Sequence, residues 1–155
     1  MNHKIYIKTE LEADSEYVDL NSTYGVRLLK GSYETLLSPP TLKDYITNDS
    51  RLQNGVQYAR TGAKVKQREL RLSIILEGDN TLETKEEQIS SYYARYESFL
   101  AKLTSDTIIC LKVMALNRIF KLVYSSCEKF EQFDYKASIF TLSLVEPDPS
   151  DRQPI

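Results

Sequence analysis

The sharpest alternation of apolar and polar positions runs from Leu70 to Gly78, "LRLSIILEG". Leu70, Leu72, Ile74 and Leu76 fall on one face, Arg71, Ser73 and Glu77 on the other, with Ile75 the exception. A period of two predicts a half-buried strand, ended by Gly78-Asp79-Asn80. The period then lengthens. Over about Leu82 to Leu103, the residues Ile89, Tyr93, Tyr96, Leu100 and Leu103 are spaced four, three, four and three apart, with Tyr92 and Phe99 on the flanks. Lys85, Glu86, Arg95, Glu97 and Lys102 take the opposite side. This predicts one amphipathic helix with an aromatic stripe laid on a sheet. It starts at Thr84, where Glu87 three residues on suits a capping box, or equally at Thr81.

Shorter patterns fill in the rest. Lys4 to Lys8, "KIYIK", predicts a short strand, and Glu10 to Glu16 an exposed acidic connection. A second strand is predicted from Tyr24 to Leu29, closed by Gly31-Ser32, with Leu36-Leu37 anchoring a further one. Pro39-Pro40 then bends the chain, because proline restricts itself and the residue before it. In the last third, Thr107–Ala115 and Arg118–Cys127 flank a tight turn at Leu116-Asn117. The run Lys136–Val145 alternates with Phe140, Leu142 and Leu144 on one face, and "EKFEQFDYK" precedes it as a polar, aromatic-rich turn. The tail "EPDPSDRQPI", residues 146–155, is expected to be a flexible end that cannot continue a sheet.

One segment fits no core. In Ile46 to Lys64, Asn54-Gly55 is a two-residue hairpin signal that would set Gln53 against Val56 and Arg51 against Tyr58. Neither face of that ribbon is continuously apolar, and an isolated two-stranded ribbon is marginal in water. The expectation is an arm, including Asp49, Arg51, Gln53, Asn54, Gly55, Tyr58 and Arg60, that orders against a partner. These elements give an α+β fold: β-sandwich or barrel-like antiparallel sheets, one flanking amphipathic helix, and a long extended hairpin or loop. The 155 residues are read as a single domain.

Composition then narrows the functions. The hydrophobic fraction of 41% and charged fraction of 27% suit a globular chain, and a net charge of −2 supplies no general attraction to nucleic acid or anionic membrane. No apolar run approaches the ~20 residues that span a bilayer, and the N-terminus lacks a signal-peptide core. Cys110 and Cys127 lie in strand-like runs, too far apart for a metal knuckle, and both are expected to be buried thiols in a protein folded in a reducing cytoplasm. The only histidine is His3, which removes Ser-His-Asp and Cys-His arrangements and His-rich zinc sites. No phosphate loop, GxGxxG or HExxH is present, so neither a cofactor nor a catalytic set is expected. Acidic residues are plentiful, yet nothing marks a carboxylate pair for hydrolysis.

A basic cluster, Arg60, Lys64, Lys66, Arg68 and Arg71, takes three readings. Lys64, Lys66 and Arg68 would share one side of a strand. They form a solvated, edge-protecting face, or meet acidic groups such as Asp49 or Glu77 on a neighbouring subunit, or present a stripe to phosphates, in that order.

The segments "DLNSTYGVRLLKGSYETLLSPPTLKDY", "NDSRLQNG", "KVKQRELRLSIILEG" and "FKLVYSSCEKF", with "FTLSLVEPDP", resemble phage tail components of Bacteroides-type prophages. The resemblance runs from about Val18 to Pro149 and is to the tube-forming ring domain shared by distal tail proteins and tail tube proteins. It implies a structural virion protein, a distal tail or baseplate hub component, or the major tail tube protein itself. It also implies a homo-oligomeric ring, commonly a hexamer, built from edge-joined sheets around a channel through which DNA passes as cargo. Other phage tail proteins would be partners, assembly would take place in the host cytoplasm, and no membrane would be involved. On that implication the segment from Asn48 to Gly62 is the subunit-interaction arm and Lys64, Lys66 and Arg68 an inter-subunit stripe. A second, carbohydrate-binding-like domain, carried by many distal tail proteins, has no room in 155 residues. The competing class is a monomeric glycan- or peptide-binding module, which eleven tyrosines and no tryptophan suit poorly for sugars.

Overall fold

The alternation that opens at Leu70 lies in strand β6, Arg68–Glu77, where Ile75, the exception, is half-buried and Leu70, Leu72, Ile74 and Leu76 are at most 2% exposed. They point into the space between two antiparallel layers. A computed structural model describes residues 3–43 and 64–155, together with the backbone of Thr47–Asn48 and Gln57–Tyr58. One layer contains β6, β3 (Val26–Leu28), β9 (Ala137–Glu146) and the second half of β8 (Arg118–Glu131). The other contains β2 (Val18–Asp19), β1 (Ile5–Thr9), β7 (Ile109–Val113) and the first half of β8. Strand β8 therefore belongs to both layers. Its residues up to Leu122 pair with β7, those from Val123 pair with β9, and register shifts follow at Tyr124/Ser126 and Cys127/Lys129. Such irregularities bend a strand and sharpen its twist, which lets one chain segment turn the corner. The outcome is the expected α+β, sandwich-like fold.

The two inner faces meet through Ile5, Ile7, Ile109, Leu111, Val113, Phe120 and Leu122 on one side and Val26, Leu70, Leu72, Phe140, Leu142 and Leu144 on the other, all buried. The far end of the longer layer is closed by helix α3, Lys85–Thr104. Thr84 accepts from the Glu87 amide at its N-cap, while Thr81 instead donates to Asp79. The buried face of α3 is carried by Tyr92, Phe99 and Leu103, whereas Tyr93, placed on the stripe by its spacing, is 47% exposed. The helix is turned because the Tyr92 hydroxyl donates to buried Ser138 at 2.8 Å and Tyr96 meets Phe140 edge-on.

The region Val18–Leu37 departs from its predicted strands. Asp19 caps a single-turn helix α1, Leu20–Tyr24, by accepting from the amides of Asn21 and Ser22. Gly25 ends it in the left-handed conformation, φ 65°, with its amide turned back to Asn21 and Leu20. A Cβ there would lie 2.1 Å from the Glu77 carbonyl oxygen, so the position admits glycine alone. Only Val26–Leu28 remains as strand. Leu36-Leu37, expected to anchor a strand, lies in helix α2, Ser32–Leu37, with Leu36 fully buried and Leu37 half exposed.

The Arg68 guanidinium explains why so short a helix holds. It donates to the carbonyls of Thr35, Leu36 and Ser38, supplying partners that the last turn of a helix otherwise lacks. Burial pulls the Arg68 pKa below its usual value, opposed by the nearby carboxylate of Glu146, itself 1% exposed. Glu146 also accepts from Arg152 at 2.8 Å and 3.2 Å. The tail is thereby held. Gln153–Pro154 form strand β10 opposite Ile119 and Arg118, so the proline-rich end, expected not to continue a sheet, does pair with one. Cys110 is buried as expected, and burial raises its pKa; Cys127, expected to be buried too, is exposed where β8 shifts register.

Candidate assembly interface

The described residues contain no group of three or more His, Cys, Asp or Glu side chains placed to hold a metal ion. None of their helices is long and apolar enough to cross a membrane. What they offer is surface. Its most distinctive part is the base of the predicted arm. The chain runs out through Thr41–Lys43 and returns through Lys64–Lys66 as an antiparallel pair. Lys43 donates its amide to the Lys64 carbonyl, Lys66 to that of Thr41, and Leu42 bridges Val65. Lys43 and Lys64, the two ends of the intervening segment, are thus held side by side.

Within it, Thr47–Asn48 (β4) pair with Gln57–Tyr58 (β5), antiparallel, with Thr47 opposite Tyr58. The register counted outward from Asn54-Gly55 put Arg51 opposite Tyr58, so the observed pairing is displaced by four residues. Asp49, Arg51, Gln53, Asn54, Gly55 and Arg60 lie outside the described residues, as does the side chain of Tyr58.

The basic stripe divides. Lys64 and Lys66 are exposed beside the arm's base, but Arg68 turns inward onto α2 and Glu146 and presents no charge to a neighbour. The alternation that groups the three fails because the strand begins only at Arg68. Arg71 is exposed and pairs with Glu128 at 2.5 Å.

Two borders of the longer layer are open. At one, β3 pairs with β6 alone among the described residues, and α2 takes over the remainder of that edge through Ser32, whose hydroxyl accepts from the Ser73 amide and donates to its carbonyl. At the other, residues 123–131 of β8 pair with β9 on one side, and no described strand pairs with the opposite side. Sequence reasoning missed this edge because it ended the strand at Cys127. The available signal was Phe130, an aromatic in register with Phe140 that a polar turn does not require.

No family model matches the chain, and no curated protein matches it by sequence. Solved structures share its fold. The Dit protein (gp 19.1) of phage SPP1, described as a paradigm of the hub adsorption apparatus in phages that infect Gram-positive bacteria, aligns at TM-score 0.52 and 17% identity. That alignment covers 94% of this chain and 50% of the SPP1 protein. A chain of the phage p2 baseplate, in its activated conformation with calcium, aligns at TM-score 0.62 and 13% identity over 93% of this chain and 44% of that one. The strontium form of the same baseplate gives 0.61 and 13% over the same shares. The chain spans about half the length of the structures it resembles, and what it has in common with them is the fold.

Proposed function

We propose that this chain is a structural protein of a phage tail, a distal tail or baseplate hub component, and not an enzyme. The observation that carries the reading is the likeness of fold to hub and baseplate chains over more than nine-tenths of its length. The subunit assembles as a ring, hexameric by analogy, around the channel through which DNA passes. Other tail proteins are its further partners, the virion its destination and the host cytoplasm its place of assembly. Residues 48–62 form the arm that reaches a neighbouring subunit, and the closed base at Leu42 and Val65 supports that role by fixing where the arm emerges. Lys64 and Lys66, exposed beside that base, meet the acidic groups of the neighbour.

The test is the mass of the purified protein over a concentration series, by light scattering, with negative-stain microscopy of the same samples. Single-layer rings that are lost when residues 48–62 are deleted support the hub reading and the arm. Long tubes would assign the chain to the tube instead. A monomer at every concentration, unaffected by the deletion, would overturn the ring.

A further inference from the structure

Four aromatic side chains on one corner of the molecule are at least 44% exposed: Tyr93 on α3, Phe130 at the end of β8, and Phe133 and Tyr135 in the following turn. They are continuous. Phe130 stacks on Phe140 with ring centres 5.5 Å apart, Phe133 lies 6.2 Å from Phe130 and 5.2 Å from Tyr135, and Tyr92 links Phe133 to Tyr93. Gln132 and Tyr135 hold positive φ, 48° and 42°, so the backbone accepts a conformation costly for such residues in order to present this turn. Scattered single apolar residues are ordinary on a surface, but a contiguous aromatic group marks an interface.

At the opposite border of the same layer lies a cleft of about 430 Å³ between β1, α1 and β3. Ile5, Val26, Leu28 and Tyr33 supply its apolar wall, and His3 and Arg27 its polar rim. His3 meets Tyr33 edge-on, and Arg27 pairs with Glu77 at 2.7 Å.

The register relates the two. Leu28 is paired with Ile74, Ile74 with Phe140, and Phe140 with Phe130, so cleft and aromatic corner lie in one row across the layer. They also lie on the same side of it, because directly opposed residues in antiparallel strands share a face, and Ile74 and Phe140 face the core. A second copy shifted along the hydrogen-bonding direction brings its β3 border to the open border of β8. No change of height is needed for one copy's aromatic corner to face the other's cleft. The chemistry also agrees, since the His3 and Tyr33 rings at the cleft offer partners for edge-to-face packing with phenylalanine and tyrosine.

We propose that copies of this chain join head to tail through this row, the aromatic corner of one seated in the cleft of the next. The inference rests on the ring reading above and names the surfaces that meet. A contact between two different surfaces propagates, and it closes into a ring when the rotation per copy allows.

The test uses two variants of the full chain, each carrying one broken half: Phe133→Ser with Tyr135→Lys at the corner, and Asn21→Trp to fill the cleft beside exposed Asn21. Each alone is expected to self-associate at least tenfold more weakly than the wild type. Mixed in equal amounts, they should give a dimer and nothing larger, because one intact corner then meets one intact cleft. Tyr93→Lys on α3 repeats the corner half if the turn variant does not fold. Wild-type rings whose assembly neither variant changes would overturn this inference and leave the ring reading standing on another surface. A mixture of folded variants that forms no dimer would also overturn it. A wild type that never self-associates would remove both.

Discussion

Arg152, three residues from the last one, grips Glu146 with both Nε and Nη2, at 3.2 Å and 2.8 Å, and so binds the tail to a carboxylate that is 1% exposed. The same guanidinium lies 5.2 Å from the centre of the buried Phe120 ring, which seals the arrangement against water. Strand β10 follows at once and covers β8 at Arg118 and Ile119.

Replacing Arg152 with Met should therefore cost about 2 kcal/mol, the scale of a charged hydrogen bond, because Arg68 still faces Glu146. Urea denaturation measures that loss. Hydrogen exchange should show faster exchange confined first to Arg118–Phe120, where β10 is released. An unchanged midpoint would show that the tail contributes nothing to stability.

Stability should fall in acid through one identifiable contact. Lys102 donates to the Glu12 carboxylate, the Thr9 amide adds a second hydrogen bond, and together they lower the Glu12 pKa from about 4.5 to about 2. A depressed folded-state value means that this stabilisation is complete above pH 4.5 and is lost as pH drops toward 2. Lys102→Met should lower stability at pH 7 by roughly 1 kcal/mol, since the pair is partly solvated, and should flatten the decline below pH 4.5. Thermal midpoints of both proteins between pH 2 and pH 7 check the sign.

Two glycines with positive φ should respond differently to alanine. At Gly25 the new Cβ would meet the Glu77 carbonyl oxygen at 2.1 Å, a contact between backbones that neither can relieve. A loss of more than about 3 kcal/mol is expected, strain and clash together. At Gly31, φ 97°, nothing lies within 4 Å, so only the backbone strain of about 1–2 kcal/mol should appear. Chemical denaturation of the two variants side by side measures the difference.

The thiols should separate cleanly. Cys127 is exposed where β8 shifts register, while Cys110 is 3% exposed with its pKa raised by burial. A maleimide at neutral pH should label Cys127 within minutes and Cys110 only after unfolding. Rapid double labelling, read by mass spectrometry, would refute the assignment of a closed second layer.

The strands that sequence reasoning located well are those with a period of two and no competitor: β6, and β9 from Ala137 to Glu146, where Phe140, Leu142 and Leu144 all face inward. The stretch after Asp19 was misjudged because its helix is a single turn, too short for apolar spacing to reveal, and is held by a cap and a glycine. Helix α2 depends on a partner 30 residues away or more: Arg68 has no local signature as the group that satisfies the carbonyls of Thr35 and Ser38. The tail misled for a similar reason, since prolines announce an end of sheet pairing but say nothing of a guanidinium between them. As for the surface, the proposed arm rests on a segment without an apolar face. The cleft and the aromatic corner were not legible in the sequence, because each gathers residues from distant strands that only register brings level.

The path of β8 has a mechanical consequence. Its fourteen residues run without a break from the pairing with β7 into the pairing with β9. Force applied across the two layers is carried by this one backbone. Neither layer can slide off the other while this strand stays paired, so the domain should yield to force as one unit.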